Sequence, residues 1–397
     1  MGGGRHQRRA ILRAHELGHR VVAVDRNAEA PGLLAADVGE IVDFADLDGV
    51  IEVARRHAVD GVMTVAADRA VPIVAAVAEN LGLPGIGTET ARRMTHKREM
   101  RDTLAASGIP QPPFATVRSS TDLATAIEMV GFPAVLKPVD SGGQRAVFRA
   151  KDEADLERNL DEAVAESPTG EAIVEEYVDG TEMNAIVVAR KGRADLLTLS
   201  DRLRPPGIGF GVGWIHVYPP SIDSDQLSRS REIAVESVRA LGMENGIAFP
   251  QLIAAPDGRV IVVEVAARIA GGQMADLVRH AVGVDLVEVA VRQALGEDVP
   301  DDVALPRFSQ PLAIRFFTAQ PGPLPTGRVT KIGALDPVLA ANGVVQAESY
   351  LEVGETIRPV RRDGDRRGYV IAVADSSAEA LQRAEAAATL LTVEVEQ

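Results

Sequence analysis

The chain has 397 residues, 46% of them hydrophobic and 25% charged, with a formal net charge of −15, 4% aromatics and no cysteine. That length exceeds what one hydrophobic core usually serves, so two or three domains are expected. The acidic balance argues against a nucleic-acid scaffold, few aromatics argue against bases or lipids as partners, and zero cysteines remove disulfides and thiolate metal sites.

No apolar run approaches the roughly 18 residues of a membrane span and no signal peptide is visible, so a cytoplasmic protein is expected. In chain order, RAILRAHELGH reads as a helix, RVVAVD as a strand, GVIEVARRHAV as a helix, DGVMTVA as a strand and VPIVAAVAENLG as a helix. This alternation predicts a parallel sheet with crossover helices. The glycine turn of Gly2, Gly3 and Gly4 has no strand before it, so the domain is expected to lack its central first strand. HKREMRDTLAASG is a helix closed by glycine, and IPQPPF is a connector. AVLKPV and RAVFRA flank DSGGQ like a hairpin, and AIVEEYV is the next strand. A long helix around 226–242 precedes the strands GIAFPQLIAA and RVIVVEVA, joined by a Pro-Asp-Gly turn; a helix over 273–295 follows. From about Asp301 the pattern mixes strands (PLAIRFFTA, YVIAVA) with a final Ala-rich helix from Ala378.

Two motifs match by letter only. His15-Glu16-Leu17-Gly18-His19 fits the zinc-protease pattern, but Gly18 sits where the helix should stop, and no third ligand has suitable spacing. Gly2-x-Gly4-x-x-Gln7 with Asp25 half-resembles a dinucleotide fingerprint, without its third glycine or its leading strand.

Three other stretches carry chemistry. Lys137 lies in an apolar strand, where an ammonium must meet an anion or be desolvated. Ser141, Gly142, Gly143 and Gln144 follow, able to expose backbone N–H groups to phosphate oxygens; the plainer alternative is a snorkelling lysine beside a flexible hairpin. Next, Glu175-Glu176-Tyr177-Val178-Asp179-Gly180-Thr181-Glu182 runs a hydrophobic strand into acids and a turn, which suits a base-and-ribose rack or a solvated edge. Lastly, VVEVAARIAGG ends a β-branched run on Glu264, with Arg268, Gly271 and Gly272 beyond it. Residues 200–220 hold glycines 207, 209, 211 and 213 and the only tryptophan, Trp214, as a pliable pocket wall or a Gly-weakened edge strand.

Lys97, KPVDSGGQ, EEYVDGTE and EVAARIAGG, in this order and separation, resemble the ATP-grasp superfamily, with the carboxylate–amine ligases that join L-amino acids as the nearest type. The resemblance covers nearly the whole chain. It implies an α/β fold with a Rossmann-like pre-ATP-grasp domain (1–93), an ATP-grasp domain (94–300, lid roughly 115–185) and a C-terminal α+β domain (301–397). It implies ATP and Mg²⁺ as cofactors, small carboxylate and amine substrates, and a homodimer. Lys97 and Lys137, with Ser141, Gly142 and Gly143, would grip ATP phosphates. Glu175, Glu176 and Val178 would frame the adenine, and Glu182 the ribose. Glu264 would bridge Mg²⁺, a hard ligand for a hard cation. Arg268 would hold the reacting carboxylate or its acyl phosphate. Gly271, Gly272 and Trp214 would line the substrate pocket. Lys137, Glu264 and Arg268 form the implied catalytic set.

Two departures stand out. The family usually has an acid about thirteen residues before the bridging glutamate and an asparagine two after it, where this chain has Gln251 and Ala266. Gln251 as a metal ligand is weaker than a carboxylate. The expected reaction is amide or dipeptide formation through an acyl phosphate; the alternatives are a carboxylase or purine-pathway ligase, and a nucleotide-binding protein without turnover.

Overall fold

The computed structural model describes residues 1–143, 145–205 and 212–396; Gln144 and glycines 207, 209 and 211 lie outside the described residues. At the N-terminal end, a helix over Arg5–Glu16 leads to β1 (Val22–Asp25), which pairs in parallel with β2 (Val38–Ile41). Helices Leu47–Arg56 and Val71–Leu81 follow. Asp46 caps the first by accepting from the Gly49 N–H, and Gly82, at φ 67°, ends the second.

The alternation expected here holds with one correction. DGVMTVA is not a strand: among the described residues its one ladder contact is a parallel bridge between Val65 and Ile269. Between it and β1 lie residues 1 and 2: the Gly2 N–H donates to the Val24 carbonyl at 2.9 Å, and the Met1 nitrogen to that of Met63 at 2.7 Å. A cavity of about 400 Å³ adjoins them, lined by Val22, Val24, Val53 and Val62 among others. His15 lies in the last turn of its helix and meets Asp37 at 2.8 Å, while His19 lies beyond the helix end. Among the described residues no cluster of three His, Cys, Asp or Glu could hold a metal.

The next segment folds around β3 (Phe114–Val117), β4 (Ala134–Pro138), β5 (Phe148–Ala150) and β6 (Ala172–Glu176), in the antiparallel order β3-β6-β4-β5. Helices Leu123–Val130 and Glu153–Glu166 close one face over Leu136, Leu156, Leu160 and Val174. The hairpin expected around DSGGQ is the β4–β5 pair.

The remaining strands are β7 (Thr181–Arg190), β8 (Arg193–Leu203), β9 (Ile215–Tyr218), β10 (Gly246–Ala254), β11 (Val260–Ala266), β12 (Leu312–Phe316), β13 (Gly327–Ile332), β14 (Val344–Ser349), β15 (Thr356–Ile357), β16 (Gly368–Val373) and β17 (Val393–Glu396). Eight of them form the central sheet, in the order β11-β10-β7-β8-β9-β12-β16-β14, so strands from the C-terminal third extend the core sheet. β15, β13 and β17 form a separate small sheet. Successive residues of β7 feed opposite cores. Ile186 and Val188 pack toward Met274, Leu277 and Leu286, while Ala185 and Val187 pack toward Met100, Leu104 and Val238. A strand buried on both faces reads as a continuous apolar run rather than an alternation. The helix expected over 273–295 is two helices, Met274–Val282 and Leu286–Ala294. Gly283, at φ 80°, ends the first, and Asp285 caps the second through the Val287 and Glu288 N–H groups. No helix among the described residues is long and apolar enough to cross a membrane.

Candidate active site

β4 and β6 lie side by side, which brings Lys137 against Glu175. Lys137 Nζ stands 2.7 Å from Glu175 Oε2, and Arg101 Nε donates to the other oxygen at 2.9 Å. Arg101 is itself anchored on the carbonyls of Val262 and Val263 in β11. All three side chains are buried. Burial pulls the Lys137 ammonium below the usual lysine range, with Glu175 opposing it. Burial alone would raise Glu175, but Arg101 and Lys137 more than offset that and hold it at about 2. Glu175 is therefore the counter-ion that keeps a lysine charged inside an apolar strand.

Lys137, Glu175, Glu176, Val178, Glu182, Gln251 and Glu264, seven of the residues named from sequence, line one cavity of about 140 Å³. Within it Glu182 is held by Arg202 at 2.5 Å and Arg204 at 2.8 Å. The Glu176 side chain leaves for Arg259, at 3.0 and 3.1 Å, while its N–H donates to the Pro113 carbonyl. Gln251 and Glu264 are direct cross-strand partners on β10 and β11, and Asn184 of β7 is the partner of Gln251 on its other side. The buried Asn184 Oδ1 has no hydrogen-bond partner among the described residues. One carboxylate and two amide oxygens in a row fit Mg²⁺, which takes few protein ligands and completes its shell with phosphate oxygens and water.

Lys97 lies beside the hairpin, donating from Nζ to the Ser141 carbonyl at 2.8 Å. Ser141 Oγ is tied to Glu166 at 3.0 Å, and Gly143 adopts φ 72°. Gly142 faces Asp68 of the N-terminal segment so closely that a Cβ there would meet the Asp68 Cβ at 3.1 Å. Asp68 in turn clamps Arg268 in two-pronged fashion, at 2.7 Å to Nε and 2.9 Å to Nη2. Burial would raise the Asp68 carboxyl, but Arg268 and Lys97 hold it below its usual range. Arg268 Nη1 is buried with no partner among the described residues. Asp68 thus joins the β4–β5 hairpin to the guanidinium.

Gly271 and Gly272 open beside Arg268. A Cβ on Gly271 would stand 3.7 Å from His6 Nε2, and one on Gly272 would stand 3.3 Å from His216 Nε2 and 3.4 Å from Arg366 Nη1. Burial pushes His6 down to about 4 and His216 well below its usual value, so this wall presents neutral imidazoles beside a cation. Trp214 stacks on Arg315 at 4.3 Å and does not line the cavity of Lys137 and Glu264.

Family models match most of the chain. "ATP-grasp N-terminal domain" covers 12–85, "Carbamoyl-phosphate synthase L chain, ATP binding domain" covers 96–301, and "L-amino acid ligase C-terminal domain 2" covers 315–396. The second alone spans more than half of the chain. The chain belongs to the ATP-grasp superfamily.

The family model that matches the central part of the chain is, by its description, an ATP-binding domain. An uncharacterized protein y4rH of Sinorhizobium fredii is 29% identical over 77% of this chain and 63% of its own length. A formate-dependent phosphoribosylglycinamide formyltransferase of Ignicoccus hospitalis is 27% identical over 99% of this chain and 95% of its own. The chain thus spans 63% of the first relative and nearly all of the second. Among solved structures, an L-amino acid ligase from Bacillus licheniformis shares the fold with a TM-score of 0.84 at 22% identity, covering 99% of this chain and 96% of that one. A phosphoribosylglycinamide synthetase from Anaerococcus prevotii gives 0.79 at 20% identity, covering 100% and 98%.

Three residues around this candidate site escape a reading by motif. Arg101 sits at helical spacing with Lys97, Met100 and Leu104, all buried, and a charge on an apolar helix face was the available signal. Asp68 is the first charged residue after DGVMTVA, at the carboxyl end of an extended segment, where open α/β sheets place ligands. Asn184 had no signal, because β7 reads as core.

Proposed function

We propose that the chain is a carboxylate–amine ligase that makes an amide or dipeptide bond through an acyl phosphate. A carboxylate oxygen of the first substrate attacks the γ-phosphorus of ATP, and the β–γ bridging oxygen leaves with ADP. The amine of the second substrate then attacks the acyl carbon, loses a proton, and expels inorganic phosphate. No side chain serves as nucleophile. Lys137 and Lys97 stabilise charge on the transferred phosphoryl group, and Ser141, Gly142 and Gly143 present the hairpin backbone to it. Glu264 would hold Mg²⁺ with Gln251 and Asn184, and the ion would neutralise phosphate charge. Glu176, Val178 and Glu182 take the base and ribose, while Arg268 takes the carboxylate in front of Gly271 and Gly272.

The observation that carries this reading is Arg268. A buried guanidinium fixed by Asp68, with Nη1 left to give, beside a hairpin that faces the same aspartate, is suited to orient a carboxylate for phosphorylation. At about 140 Å³ the cavity is below the roughly 300 Å³ at which small-molecule sites begin, so this reading requires it to open around ATP. The test is phosphate release from Mg-ATP with a matrix of amino-acid pairs, with the product mass confirming the amide. ATP binding without phosphate release for any pair would leave a nucleotide-binding protein.

A second reading rests on the relative from Ignicoccus hospitalis, a formate-dependent phosphoribosylglycinamide formyltransferase aligned along 99% of this chain. Formate with phosphoribosylglycinamide belongs in the same assay; turnover with that pair and none with amino acids would make the chain a purine-pathway ligase.

A further inference from the structure

The two glycines beyond Arg268 have an imidazole on either side, His6 beside Gly271 and His216 beside Gly272. His6 comes from the first turn of the helix Arg5–Glu16, and that turn is pinned in place. Gln7 Nε2 donates to the Val65 carbonyl. Arg9 reaches Gln273 Oε1 at 2.8 Å, Asp276 at 2.5 Å and the Tyr369 hydroxyl at 2.7 Å. Residues three apart share a helix face, so the contacts of Arg9 also hold His6 toward Gly271.

The two imidazoles differ in what is left to them. His216 Nδ1 is engaged by Asn184 at 3.3 Å. Neither ring nitrogen of His6 has a hydrogen-bond partner among the described residues. Burial keeps His6 neutral, helped by the cations Arg366, Arg9 and Arg268 and opposed by Asp276. A neutral imidazole keeps one nitrogen lone pair to accept with, whereas guanidiniums only donate. Asp276 is already taken, by Arg9 at 2.5 Å and Arg279 at 3.5 Å, and Asp68 by Arg268. His6 is thus an uncommitted acceptor in a wall of donors. The same cations disfavour an ammonium, so an amine entering here arrives neutral, with its own lone pair available.

We propose that His6 is a catalytic residue of amide formation, accepting the proton of the attacking amine as the C–N bond closes beside Gly271. The proposal rests on the ligase reading. The amine lone pair forms the bond to the acyl carbon while the carbonyl π pair moves onto oxygen, and an N–H proton passes to the His6 lone pair. The oxygen pair then re-forms the carbonyl and breaks the bond between carbon and the phosphate oxygen. The departing phosphate, a stronger base than an imidazole in this setting, takes the proton and leaves His6 neutral again.

The test uses the full chain with Mg-ATP and a mixture of the protein amino acids, comparing wild type with His6→Ala and His6→Gln. Losing a general base should lower amide formation by about 100-fold or more in both variants, since glutamine fills similar space but takes no proton. ATP affinity by calorimetry should stay within about twofold, which also shows that they fold. Hydroxylamine, uncharged at neutral pH and bonded through a nitrogen that sheds its proton to water readily, should trap the acyl phosphate as hydroxamate within about threefold of the wild-type rate. Added imidazole should restore amide formation by His6→Ala about tenfold or more and leave wild type unchanged. Amide formation by either variant at the wild-type rate overturns the proposal. So does a loss that hydroxamate formation shares, or one that imidazole does not relieve. Absence of ADP release from wild type, with and without hydroxylamine, overturns the ligase reading and this proposal with it. Hydroxamate from all three proteins with equal amide yields overturns this proposal alone.

Discussion

Glu175 stands 2.7 Å from Lys137 in the interior, and the carboxylate that keeps the lysine charged is itself kept charged by Arg101 on its other oxygen. This arrangement divides two roles within one pair: Lys137 is the group proposed to meet phosphate, and Glu175 is what allows a cation to stand in an apolar strand. Removing either has a different consequence.

Lys137→Ala should leave Glu175 paired with Arg101, so the fold survives while ATP affinity falls at least tenfold and phosphate release is lost. Glu175→Gln should leave two buried cations without an anion, at a cost of about 3–5 kcal/mol in stability. Urea unfolding of both variants, with calorimetric titration of ATP, separates the roles. Unchanged ATP affinity in Lys137→Ala would remove the lysine from the phosphate site.

The same pair sets a pH dependence. Glu175 is held at about 2, below the ordinary carboxyl value of 4.5, so its contribution is present above about 4.5 and is lost as pH falls toward 2. The stability gap between wild type and Glu175→Gln should be full at pH 7 and close across that window. A gap that persists at the acid end would mean that the carboxylate's charge is not what stabilises the core.

Glu264 and Gln251 face each other across β11 and β10. With a neutral amide opposite it, Glu264 would be the main protein carboxylate for Mg²⁺ under the proposed function. Glu264→Gln should cost turnover on the scale of about 3 kcal/mol, as for a lost electrostatic stabiliser. Gln251→Glu should lower the Mg²⁺ concentration giving half-maximal rate. Rate against Mg²⁺ for the three proteins decides this, and an unchanged dependence in Gln251→Glu would place position 251 away from the metal.

Asp68 fixes Arg268 through Nε and Nη2. Asp68→Asn keeps one acceptor but loses the charged two-pronged clamp, so kcat/KM for the carboxylate substrate should fall by about 10–100-fold, a loss of about 1.4–2.8 kcal/mol. ATP affinity should stay within twofold. Asp68→Glu restoring part of the loss would support a positioning role; an equal loss of ATP affinity would refute it.

Much of this protein is legible in one dimension. The residues of KPVDSGGQ, EEYVDGTE and EVAARIAGG lie on contiguous strands and turns whose propensities agree with their final state, and their order identifies the superfamily. The paired strands 246–254 and 260–266, with the Pro-Asp-Gly turn between them, are legible as a hairpin, but its register alone would set Gln251 against Val263; a bulge between Gln251 and Leu252 moves it opposite Glu264. Tertiary structure decided what sequence distance hides. Arg101 and Glu175 are 74 positions apart and Asp68 and Arg268 are 200 apart, so no local pattern relates them. The roles of those residues come from electrostatics at contact distance: a buried charge must find its counter-charge, and only the packed sheet and the segment docked on it bring the two together. Helix ends followed the opposite rule. The break at Gly283 was written locally, in a glycine followed by a capping aspartate at 285, and the apolar periodicity running through both helices masked it. The stretch 60–66 carries a strand pattern, yet a strand is a property of two partners, and here the neighbour supplies a single bridge.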